Sequence, residues 1–237
     1  MRFVPCTMKL LLFDIDGTIL HTHGSGRRLV DSIFLELTGR TAPARISYAG
    51  KTDPQIAMEM AHAVGCPESE RDEVVQRSLE LYTQRMLDLL PASKVTLLPG
   101  AAALIDRLCS KSDVQLALLT GNVEPIAFAK LAAVGVDKYF TFGAFGSDSP
   151  DRYRLPPIAQ QRALDITGHL FEKDNIVIIG DTEHDIRCGR SIGAYSVGVC
   201  TGYFGRDELS RHKPNALFDT LEDADHFERT VLLRVSS

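Results

Sequence analysis

Leu11-Leu12-Phe13-Asp14-Ile15-Asp16-Gly17-Thr18 is the stretch whose reading decides the fold. A short apolar run, Lys9 to Phe13, stops abruptly at two carboxylates. A continuous apolar run bounded by a turn signal fits a strand buried on both faces of a parallel sheet. Asp14 and Asp16 then stand at the carboxyl end of that strand, where open α/β sheets bind ligands, and Gly17 lets the backbone turn away. Two aspartates two positions apart can divide the work at one reacting centre, one as nucleophile and the other as general acid or base. The same letters also describe two solvated aspartates capping a turn, so the rest of the chain has to discriminate.

Downstream the texture becomes helical. His21 to Gly26 reads as a flexible connection; Leu29, Val30, Ile33, Phe34 and Leu37 then recur at helical spacing until Gly39. Asp53 reads as an N-cap with Pro54 at N1, followed by Ile56, Met58, Met60 and Val64. Glu68 to Leu90 is a third helical stretch, with Val74, Leu79, Leu81, Leu87 and Leu90 on or near its apolar face and Pro91 as its stop. From Pro99 onward, strands and helices alternate: helix at 101–108, strand at 114–119, helix at 124–134, a short strand at Tyr139 to Phe142, helix at 158–166, strand at 176–179, helix at 183–192 and strand at 195–199. Alternation of this kind predicts a doubly wound, Rossmann-like parallel sheet covered on both faces. The expected architecture is therefore an α/β core, residues 1–19 and 96–237, with a small all-helical block, residues 20–95, inserted after the first strand.

Three of these strands end in polar residues. The first gives Asp14 and Asp16; the strand at 114–119 runs into Thr120, Gly121 and Asn122; the strand at 176–179 runs into Gly180 and Asp181, with Asp185 one helical turn on. All the carboxyl ends of a parallel sheet lie on one edge, so the three sets can converge. A hydroxyl with nearby backbone amides and several carboxylates suits a hard, oxygen-seeking ion such as Mg²⁺ holding a phosphate.

The order D-I-D-G-T, then L-T-G-N at a strand end, then I-G-D-T-E-H-D resembles the haloacid dehalogenase superfamily of phosphohydrolases, over nearly the whole chain. The helical insert resembles the cap of its phosphoglycolate phosphatase and β-phosphoglucomutase branch. The resemblance implies Asp14 as the nucleophile that becomes an aspartyl-phosphate, and Asp16 as the acid and then the base. It implies Mg²⁺ held by the Asp14 carboxylate, the Asp16 backbone carbonyl and Asp181, with Asp185 in direct contact or just behind. Thr120 and the backbone amides of Gly121 or Asn122 would hold the phosphoryl oxygens. A carboxylate attacking a phosphate dianion meets like-charge repulsion, which Mg²⁺ and a protein cation must offset. The family supplies that cation as a lysine ahead of the helix preceding the last metal-binding strand. Here the segment reads S-D-S-P-D-R-Y-R-L-P-P, so Arg152 or Arg154 has to serve, with Arg152 favoured by its distance from the helix.

Other features admit two readings. Lys51 and Asp53 stand where the family places substrate-specifying residues, and equally describe an exposed lysine beside an ordinary helix cap. Arg27 and Arg28 fit a substrate anion or a solvated helix face. His21, His23 and His184 lack the spacing of a zinc ligand set. The composition, 44% hydrophobic with a net charge of −5 over 237 residues, gives no electrostatic footprint for nucleic acid. No apolar run approaches a membrane span, and none long enough for a signal peptide precedes Asp14. The five cysteines, Cys6, Cys66, Cys109, Cys188 and Cys200, are scattered, as expected of free thiols in a reducing compartment. The expectation is a cytoplasmic monomer or weak homodimer acting on a small phosphorylated metabolite as a Mg²⁺-dependent phosphatase. The alternatives are a β-phosphoglucomutase-like phosphotransferase and a binding module that has lost catalysis.

Overall fold

The computed structural model describes residues 8–233 apart from 42, 44 and 45; Cys6 lies outside the described residues. The core is one six-stranded sheet in the order β5-β4-β1-β6-β7-β8, every neighbouring pair parallel. Its strands are β1 (Lys9–Phe13), β4 (Val114–Leu119), β5 (Gly143–Ala144), β6 (Ile176–Gly180), β7 (Tyr195–Val199) and β8 (Ala216–Phe218); β2 (Leu20–His21) and β3 (Thr96–Leu97) form a separate antiparallel ribbon. The helices that concern the site are α1 (Ser25–Thr38), α2 (Asp53–Ala63), α3 (Glu68–Leu89), α4 (Ala101–Cys109), α5 (Glu124–Ala132), α6 (Leu155–Thr167) and α7 (Glu183–Ile192).

The strand pleat explains the double winding. Leu11 and Phe13 of β1 face one core with Leu116, Leu118, Val177 and Ile179, covered by α4 and α5. Leu10 and Leu12 face the opposite core with Ala117, Leu119, Ile176 and Ile178, covered by α6. Successive strand residues point to opposite faces, so a strand with helices on both sides must be apolar throughout, and Leu10 to Phe13 are all fully buried. This is the doubly wound parallel sheet that the alternation predicts.

The chain leaves and re-enters the core side by side: Leu20 pairs with Leu97 and His21 with Thr96, and the Leu98 amide donates to the Ile19 carbonyl at 2.9 Å. From that ribbon α1, α2 and α3 extend, packed around two apolar clusters of their own, one centred on Ile33, Tyr82 and Met86 and the other on Phe34, Ile56 and Met60. The first also takes in Val123 and Ile126 at the start of α5, so the helical block is seated on the core.

Local differences from the sequence expectation have physical causes. The N-cap of α2 is Thr52, whose hydroxyl accepts from the Gln55 amide; Asp53 is the first helical residue. Met58 and Leu87 are 50% and 38% exposed, outside the stripes their helices bury. The strand expected at Tyr139 to Phe142 begins later. Asp137–Tyr139 form a 3₁₀ turn, and pairing to β4 starts at the Phe142 carbonyl before β5. Phe140 and Phe142, two positions apart, go to opposite cores, whereas a continuous strand would have put both on one face.

Candidate active site

At the end of β1 the Asp14 amide continues the ladder to the Ile179 carbonyl of β6, 2.9 Å, which places the Asp14 side chain beside the end of β6. There the chain passes through Asp181 into α7. Thr182 and Asp185 form a reciprocal capping box: Asp185 Oδ2 accepts from the Thr182 amide at 3.0 Å and its hydroxyl at 2.6 Å. One oxygen each of Asp14, Asp181 and Asp185 lie within 4.8 Å of one another, and all three side chains are buried.

Arg152 enters this cluster from a 3₁₀ turn ahead of α6. Its side chain is 3% exposed, and Nη2 lies 3.3 Å from Asp14 Oδ1 and 2.5 Å from Asp185 Oδ1. Arg154 points away: its side chain is 78% exposed and its nearest carboxylate is Asp151, 3.7 Å distant. It contributes nothing to the cluster.

The third strand end closes the ring. The Thr120 amide bonds the Ala144 carbonyl at 3.1 Å, and Thr120 is fully buried. Asn122 Nδ2 donates to Thr120 Oγ1 and to Asp16 Oδ2, both at 2.8 Å. The same Asp16 oxygen accepts from Lys130 Nζ at 2.7 Å, and that ammonium also reaches Asn122 Oδ1 at 2.6 Å. Lys130 is absent from the residues that the sequence motifs single out. The signal was its position: four residues after Ile126 and three after Ala127, it falls on the buried stripe of α5, where a lysine needs a partner.

Electrostatics separate the two motif aspartates. Burial pushes the Asp14 carboxyl up to about 7; Arg152 opposes this, and Asp185 and Asp16 add to it. Asp181 lies well above the ordinary carboxylate range, through burial and the nearby Asp14 and Asp185. Burial also acts to raise Asp16, but the charge of Lys130 and the hydrogen bonds from Lys130 and Asn122 outweigh it and hold Asp16 low.

The donor set fits a hard divalent cation. It is all carboxylate oxygen, and Asp181 Oδ1 is a buried oxygen with no hydrogen-bond partner, an arrangement that a bound cation would satisfy. A Cβ on Gly17 or Gly202 would run into the Asp181 carboxylate, so both glycines let the backbone pack close around it. Among the described residues no other group of His, Cys, Asp and Glu meets the geometry of a metal site. His184 is instead bonded through Nδ1 to the Tyr153 hydroxyl at 2.9 Å, and the rings of His21 and His23 lie tilted at 57°, centroids 5.0 Å apart.

The cluster opens into a cavity of about 270 Å³ between core and helices, whose lining also includes His21, Arg27, Tyr48, Lys51 and Tyr203. Lys51 Nζ is 2.5 Å from Glu59 Oε2. The Arg27 guanidinium lies over the Tyr48 ring, 4.7 Å from its centroid. Arg28 instead bonds the His23 carbonyl at 2.8 Å. The loop ahead of α2 reaches the strand ends directly: the Asp53 amide donates to the Gly121 carbonyl and Asp53 Oδ2 accepts from the Val123 amide, both at 2.8 Å, while the Thr52 hydroxyl donates to the Pro150 carbonyl at 2.7 Å.

The chain is 24% identical over 209 residues to a phosphoglycolate phosphatase of Neisseria meningitidis, covering 86% of this chain and 85% of that protein. Its backbone resembles the crystal structure of a predicted phosphoglycolate phosphatase from Haemophilus somnus, with a TM-score of 0.69, 21% identity and coverage of 93% and 97%. It also resembles that of a β-phosphoglucomutase from Clostridium difficile, with a TM-score of 0.73, 17% identity and coverage of 96% and 100%. The family model for haloacid dehalogenase-like hydrolases matches residues 11–190, from inside β1 to the end of α7, and so takes in all three strand ends that meet in the cluster. With fold, strand-end motifs and family model in agreement, this chain belongs to the haloacid dehalogenase-like hydrolases.

Proposed function

We propose that the chain is a Mg²⁺-dependent phosphatase that hydrolyses a small phosphorylated metabolite, phosphoglycolate being the first to try, through a phosphoryl group carried on Asp14. The observation that carries this reading is the pairing at Asp14: a buried carboxylate lining the cavity between core and helices, 3.3 Å from a buried arginine and clustered with Asp181, whose Oδ1 is orphaned.

Asp14 and Asp181 would hold the metal with the Asp16 backbone carbonyl. Asp185 would stand behind them, because its two oxygens are already engaged by Thr182 and Arg152. When bound, the ion neutralises negative charge between carboxylate and phosphate and makes the phosphorus easier to attack. The chain's own groups do the rest. Thr120 and the amides at Gly121 and Asn122 hold the phosphoryl oxygens, and Arg152 screens Asp14 from the incoming dianion. An Asp14 oxygen attacks phosphorus, the bond to the leaving oxygen breaks, and that oxygen takes a proton from Asp16. Asp16 is held low in the free protein, and the approaching phosphate raises its proton affinity as like charges do. A water then attacks the phosphoryl group, Asp16 takes its proton, and Asp14 is released.

Residues 20–95 act as a cap that seats on the strand ends and excludes bulk water during transfer. The test is phosphate release from p-nitrophenyl phosphate and from a panel of phosphorylated metabolites, with Mg²⁺ and with excess chelator. Release that requires Mg²⁺ is expected. Release undiminished by chelator would remove the metal from the reading, and none from any ester would remove the phosphatase.

A further inference from the structure

The helix α5 buries Ile126, Ala127, Lys130 and Leu131. Placing a lysine among them is costly unless its charge is paired and its donors are used. The Lys130 side chain is 5% exposed. Two of its three N–H donors are spent on Asp16 Oδ2 and Asn122 Oδ1, and the residue forms part of the cavity wall. Asn122 completes a triangle by donating from Nδ2 to the same Asp16 oxygen. Asp16 Oδ2 therefore accepts two hydrogen bonds, whereas Oδ1 has none among the described residues. The nucleophile is held by a separate set of groups, Arg152 and the end of β6.

We propose that Lys130 is a positioning residue for the proton transfer of Asp16: by tying Asp16 Oδ2 to Asn122, it leaves Oδ1 as the oxygen that meets the leaving group. The proposal rests on the phosphatase reading and deepens it. The covalent change is the one given above: the Asp14–phosphorus bond forms, the ester bond breaks, and the carboxyl proton on Asp16 Oδ1 passes to the leaving oxygen. Losing Lys130 lets the Asp16 carboxyl rotate but leaves Asp14 and Arg152 in place. The damage should therefore scale with how much the leaving group needs a proton. A residue that merely filled space would lower all substrates alike.

The experiment measures kcat/KM, which reports the first phosphoryl transfer, on substituted phenyl phosphates of rising leaving-group basicity. Wild type is compared with Lys130→Met, Lys130→Gln, Lys130→Arg and Asn122→Ala, with folding checked by circular dichroism. Lys130→Met should lose only a few fold on the most acidic phenol and about 10²-fold on the most basic, the order of a misplaced general acid. Lys130→Arg should recover part of that loss. Should neither uncharged Lys130 variant fold, Asn122→Ala, which releases the same Asp16 oxygen, should show the same steepening. A uniform loss across the series, or no loss, overturns the proposal. Wild type inactive on every phenyl phosphate and on the panel of phosphorylated metabolites would instead overturn the phosphatase reading on which it rests.

Discussion

At the scale of single residues the cluster is organised by charge. On the proposed mechanism Asp14→Asn should abolish turnover, because an amide could not carry the phosphoryl group, and Asp16→Ala should lower it by about 10²–10⁴. Arginine stands where the family usually has lysine, and the structure gives that difference a consequence. A single guanidinium nitrogen of Arg152, Nη2, lies against both Asp14 and Asp185, carried on a planar group whose reach and shape an ammonium does not reproduce. Arg152→Ala should therefore cost both turnover and phosphate affinity, Arg152→Lys should recover part, and Arg154→Ala, at an exposed side chain, should be nearly silent. Steady-state kinetics on the three variants give the ranking; an Arg154 effect equal to that of Arg152 would contradict the geometry. Asp14 and Asp181 stand out as candidates in the sequence because each follows a buried apolar strand, and Asp16 because it lies two positions beyond Asp14. Lys130 does not, because lysines on helices are ordinarily solvated and its partners lie 8 and 114 positions away.

At the scale of elements, the loop between Gly50 and α2 meets the loop after β4 backbone to backbone. A Cβ on Gly121 would run into the Lys51 carbonyl, so Gly121→Ala should prevent the loop ahead of α2 from seating while leaving the sheet intact. The expected result is unchanged far-ultraviolet circular dichroism with kcat/KM reduced by about 10²-fold, the usual cost of a displacement of roughly 1 Å at a reacting centre. Gly205→Ala, where nothing lies within 4 Å of the added carbon, is the control. The helix α3 could be read from the sequence because periodicity accumulates along its 22 residues, and β1 and β6 because each is an unbroken apolar run that stops at a turn signal. β2, β3 and β5 have two residues each, too few for any period to register. They exist because neighbouring chain positions them, and β2 and β3 are what bring entry and exit of the helical block together.

At the scale of the whole molecule, ion binding and cap seating are coupled to stability. If Asp181 holds a cation, Mg²⁺ at about 100 times its dissociation constant should stabilise the protein by about 2.7 kcal/mol, visible as a raised melting temperature. Asp181→Asn should remove most of that rise. Proton linkage gives a second, independent test at Asp53, which joins the helical block to the core through Val123. Burial raises its carboxyl to about 6, with Lys130 opposing and Asp16 adding to the shift, against an unfolded value of about 3.9. The folded protein therefore binds this proton more tightly than the unfolded chain does. The stabilisation is complete below about pH 4 and is lost as pH rises through about 6. Asp53→Asn keeps an oxygen for the Val123 amide and has no charge to bury. Measured in chelator, where Asp14 and Asp181 titrate alike in both proteins, the variant should match or fall slightly below wild type at pH 4. It should melt higher at pH 8 by about 2–6 °C, the equivalent of about 1–2 kcal/mol in a chain of this size. A difference that stays constant with pH would mean that Asp53 ionises as freely in the folded protein as in the unfolded chain.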